Sequence, residues 1–242
     1  MGSAAVALGP GVWRVPTAPK DLVNSFVFRD ADGQVTLVDA GVARWAPPRI
    51  LAALAEIGSA PQDVTRLVLT HAHGDHAGGA EDLRSRLGLP GVVAHERDAS
   101  YLRTGVSPID ASTTAGRLIR RATGFPAVPV VEELQDGHVL DVAGGLRVVH
   151  TPGHTPGHVS LLHEETSLLI TGDAIWNVLG ARSWPILWLC TDVPMQMRTA
   201  SVLGELDYDT VAFTHGPEIR SGAREAVRAF LARPRRFRGG LP

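Results

Sequence analysis

Four side chains of metal-binding type fall within six residues: His71, His73, Asp75 and His76, in the run Thr70-His-Ala-His-Gly-Asp-His76. The run follows Leu67-Val68-Leu69, which reads as a short buried strand. Alternate residues of an extended chain point the same way, so His71 and His73 can grip one ion together. Gly74 lets the backbone turn sharply, after which Asp75 and His76 aim at a second, neighbouring ion. In an ordinary core such a cluster would be a desolvation liability, so it predicts a metal site. More residues of the same type stand at the ends of predicted strands: Asp39 after Val35–Val38, His154 after Leu146–Val149, Asp173 after Leu168–Ile170, and His215 after Val211–Phe213. Strand ends are where an α/β scaffold holds polar groups rigidly around a shared cavity.

The elements that must position these residues alternate between strand-like and helix-like segments. Leu22–Phe28 and Val35–Val38 read as strands joined by a turn at Asp30-Ala-Asp-Gly33. Pro47-Pro48 opens a helix over Ile50–Ile57, closed by Gly58. Glu81–Leu87 reads as helix, Gly91–Ala94 and Val159–Leu162 as strands, and Arg224–Leu231 as a last helix. Hairpins in both halves with helices between them predict sheets covered by helices. Segments near 96–130 and 175–194 follow no clean period and read as lids or insertions over a site. The tail from Arg233 to Arg238 is basic and reads as a solvated terminus.

Composition narrows the function classes. In 242 residues, 23 Lys and Arg face 25 Asp and Glu, for a net charge of −2, and 44% of residues are hydrophobic. That chain can bury a large core as one domain. It offers no electrostatic reason to expect nucleic acid or an anionic membrane as partner. No run approaches the length of a membrane span, and Met1–Pro10 lacks the basic start of a secretory leader. A cytoplasmic protein acting on a small molecule is expected. One cysteine, Cys190, excludes an internal disulfide, a thiol pair and a four-thiolate zinc site. Any ion must lean on His, Asp and Glu, and Cys190 itself reads as a small buried apolar residue.

His71-Ala-His-Gly-Asp-His76, followed in order by His154, Asp173 and His215, resembles the metallo-β-lactamase superfamily from about Asp39 to His215. The resemblance implies a four-layer αββα sandwich spanning residues 1–242, with the metals at one edge of its two sheets. It implies two divalent ions, zinc first, with iron or manganese as alternatives since these N/O ligands suit all three. His71, His73 and His154 would hold one ion; Asp75, His76 and His215 the other, with Asp173 bridging. Asp39 matches an upstream aspartate that supports a ligand from behind. The chemistry implied is hydrolysis by a metal-bridging hydroxide, with Asp75 orienting it or accepting its proton.

Thr151-Pro-Gly-His-Thr-Pro-Gly-His158 and Thr171-Gly-Asp173 are most similar to the glyoxalase II branch, which implies a thioester, ester or lactone as substrate. The glutathione-binding Gly-Cys-Gly-Arg segment of that branch is missing after Asp173, and only 27 residues follow His215, where the branch has a helical domain. Similar lactonases carry tyrosine three residues after the bridging aspartate, where this chain has Trp176. The bridging position held by Asp173 also disfavours antibiotic hydrolysis. Trp176, Trp184 and Trp188 suggest an apolar wall for the substrate, or packing of a lid onto the body. His158 reads either as support for the site or as an ordinary strand-start histidine; His95, His138, His150 and His163 read as structural. The competing readings are a mononuclear iron persulfide dioxygenase at His71, His73 and His154, a phosphodiesterase of the same fold, and a non-catalytic binding module.

Overall fold

Two β-sheets face each other across a layer of apolar side chains in the computed structural model, which describes residues 4–233. The basic tail beyond Arg233 lies outside the described residues. The first sheet is ordered β1 (Val6–Gly9), β2 (Val12–Pro16), β3 (Asn24–Arg29), β4 (Val35–Val38), β5 (Val64–Val68), β6 (Val92–His95) and β7 (Val130–Leu134). It runs antiparallel up to β4 and parallel from there on. Parallel neighbours need long crossovers, and helices supply them: α1 (Ala46–Glu56), then α2 (Gly74–Ala77) with α3 (Ala80–Leu87), then α4 (Glu96–Thr104) with α5 (Thr114–Ala122).

The second sheet contains β8 (Val139–Leu140), β9 (Leu146–His150), β10 (Val159–His163) and β11 (Leu168–Ile170). A small hairpin of β12 (Trp176–Val178) and β13 (Ala181–Ser183) follows, then α6 (Val193–Thr199). Strand β14 (Thr210–Ala212) returns to pair in parallel with β11, and α7 (Ala223–Leu231) closes the described chain.

Alternation along the strands builds the layers. Phe26 and Phe28 point between the sheets, against a group that includes Val148, Leu161 and Ile170. Val27, between them, points the other way and packs with Ile50 and Leu54 of α1. The second sheet does the same: Val149 and Leu162 turn outward to join Val227 and Phe230 of α7. Sheets buried on both faces need helices outside them, and the result is a helix–sheet–sheet–helix sandwich. Among the described residues no helix is long and apolar enough to cross a membrane.

The stretches without a clean period have definite structure. Residues 96–130 contain α4 and α5. The buried face of α4 mixes Asp98 with the core residues Ala99 and Leu102, and α5 buries no residue, so no continuous apolar period runs through the stretch. Residues 175–194 contain the β12–β13 hairpin and the start of α6. Phe26 is fully buried in the layer between the sheets. Phe26→Ala should lower unfolding stability by about 3–5 kcal/mol in denaturant titrations. A loss under about 1 kcal/mol would mean that this layer tolerates a void of aromatic size.

Candidate metal centre

The strand ends converge as chemistry requires. His71 and His73 follow β5, His154 follows β9, Asp173 follows β11 and His215 follows β14. Donor atoms of His71, His73 and His154 lie within 4.8 Å of one another, as do those of His71, His76 and Asp173, and those of Asp75, His76 and His215. His73 Nδ1 stands 2.9 Å from His154 Nε2, and His76 Nε2 stands 3.2 Å from His215 Nε2. Such contacts between ring nitrogens are stable only with a proton or a cation between the lone pairs. His71 Nε2 is buried with no hydrogen-bond partner in the protein. This donor set fits divalent ions.

Asp173 stands between the two halves. Its Oδ2 is 3.2 Å from His154 Nε2, while its Oδ1 is 3.4 Å from His76 Nε2 and 3.3 Å from His215 Nε2. Burial would raise its pKa, but His215, His76 and His154 hold the carboxyl well below the usual range. Burial holds His71 and His73 well below the ordinary imidazole value, so their lone pairs are free. Burial pulls on His76 too, yet Asp173, Asp75 and Asp39 outweigh it and lift its pKa to about 10. His215 is raised in the same way, chiefly by Asp173 against the pull of burial.

Behind the donors sits a layer that aims them. Asp39 ends β4 at a left-handed φ of 61° and accepts the Nδ1–H of His76 at 2.8 Å, turning Nε2 inward. The same carboxylate accepts the Thr70 backbone N–H at 2.8 Å and its hydroxyl, also at 2.8 Å. His158 takes the supporting role of its two readings: its Nε2 accepts the Asp173 N–H at 2.7 Å. It does so as a neutral ring, because burial and the nearby His154 push its pKa down to about 3. Thr214 donates its hydroxyl to Asp173 Oδ1 at 2.7 Å, and the Gln196 amide donates to the Asp173 carbonyl at 3.0 Å.

One brace escaped the sequence reading. Asp98 on α4 is fully buried and accepts from Ala72 N–H at 2.9 Å, the Thr155 hydroxyl at 2.6 Å and Gly157 N–H at 2.6 Å. It ties the His71–His76 loop to the His154–His158 loop. In sequence it looks like any acid in the first turn of a helix, where acids favour the helix dipole. Gly74 also needs correction. Its φ is not left-handed, so the turn from extended His73 into α2 does not draw on glycine's backbone freedom. A Cβ there would lie 2.9 Å from the Thr123 carbonyl oxygen, so glycine is required by close approach.

A cavity of about 400 Å³ opens over Asp75, His73, His154 and Asp173, walled by Ile109, Phe125, Trp176, Trp188 and Leu189 among others. Among the described residues no lysine or arginine lines it. Trp176 also leans on His215, with ring centroids 4.3 Å apart. Trp184 does not line the cavity; it packs on Phe230 with centroids 4.9 Å apart, because the β12–β13 hairpin lies against α7. The expectation of three pocket tryptophans therefore reduces to two. Cys190 is only half-buried, and its Sγ lies 3.4 Å from His154 Nδ1, so it is more than apolar filler.

Residues 18–233 match the family model described as the metallo-beta-lactamase superfamily. The chain is 29% identical over 204 residues to a probable metallo-hydrolase, YybB, of Bacillus subtilis, spanning 81% of this chain and 82% of that one. It is 29% identical over 181 residues to a hydroxyacylglutathione hydrolase of Rhodopseudomonas palustris, spanning 72% of this chain and 58% of that one. Among solved structures it is similar to the metallo-beta-lactamase family protein TTHA1429 of Thermus thermophilus. There the TM-score is 0.70 and the identity 29%, covering 93% of this chain and 80% of that one.

Asp98→Ala leaves three donors of the two ligand loops unmatched and should weaken zinc retention by about 10–100-fold in chelator competition. Unchanged retention would remove Asp98 from the machinery. Without an ion, His76 stays protonated through neutral pH, so a cation at Asp75, His76 and His215 must displace that proton. Retention there should fall about tenfold per pH unit, for each proton displaced, as pH drops from about 8 to about 6. His71 and His73, already neutral, add no such dependence over the same range. Dialysis at graded pH followed by metal analysis tests this, and retention that ignored pH over this range would contradict it.

Proposed function

The chain belongs to the metallo-β-lactamase superfamily, and on that premise we propose that it hydrolyses a neutral thioester, ester or lactone with an apolar acyl group. The observation that carries this is the cavity: an apolar wall over the histidine and aspartate cluster, with no lysine or arginine among its described lining residues. Glutathione thioesters and β-lactam antibiotics carry carboxylates, and apart from ions that would engage the scissile bond, the described lining offers no side-chain cation to receive one. The similarity to a hydroxyacylglutathione hydrolase supports the class of bond cleaved; the cavity speaks for a different group around that bond.

His71, His73 and His154 would hold one divalent ion, and Asp75, His76 and His215 a second, with an Asp173 oxygen toward each. When bound, such ions act as Lewis acids on a carbonyl and make water acidic near neutral pH. The residues do the rest. Asp75 is the exposed carboxylate of the cluster, its side chain 40% accessible, with Oδ2 3.5 Å from His215 Nε2. It faces the cavity and can orient an attacking water and take its proton. Asp173, enclosed by His154, His76, His215 and Thr214, is spoken for and serves as a fixed negative centre. Trp176 covers His215 and, with Trp188 and Leu189, receives the acyl chain away from water.

A panel of acyl thioesters and lactones of increasing chain length tests the reading. Each buried methylene contributes about 0.8 kcal/mol, so kcat/KM should rise by up to about fourfold per methylene until the cavity is full. Trp176→Ala should flatten the trend while metal content holds, and Asp75→Ala should lower turnover by at least about a hundredfold. A panel led by short glutathione thioesters, with no length trend, would reject the apolar substrate.

A further inference from the structure

Most imidazoles that turn one nitrogen to the cluster find a partner for the other, although His73 Nε2 is buried without one. His76 uses the Asp39 carboxylate at 2.8 Å, His215 uses the Leu22 carbonyl, and His71 Nδ1 meets the Thr70 hydroxyl at 3.1 Å. His154 differs. Its Nε2 is committed inward, 2.9 Å from His73 Nδ1 and 3.2 Å from Asp173 Oδ2. Its Nδ1 meets sulfur, the Sγ of Cys190 at 3.4 Å. A ring that gives Nε2 to an ion carries its proton on Nδ1.

We propose that Cys190 is a positioning residue: its sulfur accepts the His154 Nδ1–H, aims Nε2 at the metal seat and couples that ligand to the apolar cavity wall. This rests on His154 serving as a metal ligand, and not on which substrate is cleaved. The Cys190 thiol is partly buried. Its own S–H points to the Ile186 carbonyl, 3.9 Å away. The coupling is reinforced by backbone. Thr191 N–H donates to the His154 carbonyl at 3.1 Å, the Thr191 hydroxyl to the Gly153 carbonyl at 3.0 Å, and Asp192 N–H to the same carbonyl at 2.9 Å. Trp188 and Leu189, immediately before Cys190, line the cavity. A neutral sulfur is a weaker acceptor than a carboxylate, so His154 is less firmly oriented than His76, which leans on Asp39.

Zinc affinity by chelator competition tests the role in the whole protein. Cys190→Val keeps an apolar side chain and removes the acceptor; zinc affinity should fall about tenfold, the lower end for loss of a ligand's supporting partner. Cys190→Asn places a carbonyl acceptor further out from Cβ than a hydroxyl would reach, and should restore wild-type affinity. Equal affinity in wild type and Cys190→Val, or Cys190→Asn as weak as Cys190→Val, would overturn the proposal. A wild-type chain that bound no zinc would overturn both this and the metal-dependent reading. A further measurement needs no variant. The chain has one cysteine, so its S–H stretching band in Raman spectra is unambiguous. Zinc loading should shift that band as the Nδ1–H becomes fixed on the sulfur, and a band that ignored zinc would count against the role.

Discussion

A carboxylate charge buried between imidazoles is the constraint around which this molecule is organised. Asp173 has 2% of its side chain exposed and no arginine or lysine among the groups that set its charge. A bare charge in that position would be untenable. The chain answers with positive or polarisable groups on every side: His154 on one oxygen, His76, His215 and the Thr214 hydroxyl on the other. Its backbone is pinned as well, the N–H by His158 and the carbonyl by Gln196. Those partners come from β10's entrance, α6 and the end of β14, so much of the second sheet is arranged around one side chain.

The candidate metal-binding residues were legible because each obeys a local rule. His71 and His73 alternate after a strand, and His154, Asp173 and His215 each follow an apolar run that could hardly be anything but a strand. Val35–Val38 and Leu168–Ile170 form over the expected residues, while the last helix starts one residue earlier, at Ala223. What escaped depends on partners far away in sequence. Asp98 accepts from Ala72 and from residues near 156, and nothing in its own neighbourhood announces that. Trp184 and Trp188 are four residues apart, yet one meets α7 and the other the cavity: Trp184 directly follows β13, which contacts α7, whereas Trp188 sits in the short helical turn Leu187–Leu189. Gly74 is necessary for a reason its neighbours do not carry, because a carbonyl approaching from residue 123 has no signature at residue 74.

Net charge was similarly blind. A balance of −2 averages over a surface and says nothing of the cavity over the cluster, which has no lysine or arginine in its described lining. The β-lactamase fold and the apolar wall are separate facts: the sandwich supplies the strand ends, and segments after β6 and β11 wall the cavity above them.

The cluster draws its members from both halves of the sandwich: His71, His73, Asp75 and His76 follow β5 of one sheet, and His154, Asp173 and His215 follow strands of the other. An ion seated there is also a rivet. Away from the site the sheets touch through side chains such as Phe26 and Leu161, which can slide, whereas coordination fixes distance and angle together. Binding to the folded form alone adds RT ln(1 + [L]/Kd), or about 4 kcal/mol at a thousandfold excess over Kd. Metal supply would then govern how long the chain survives as well as how fast it turns over, with the reactive edge acting as the seam that keeps the two sheets in register.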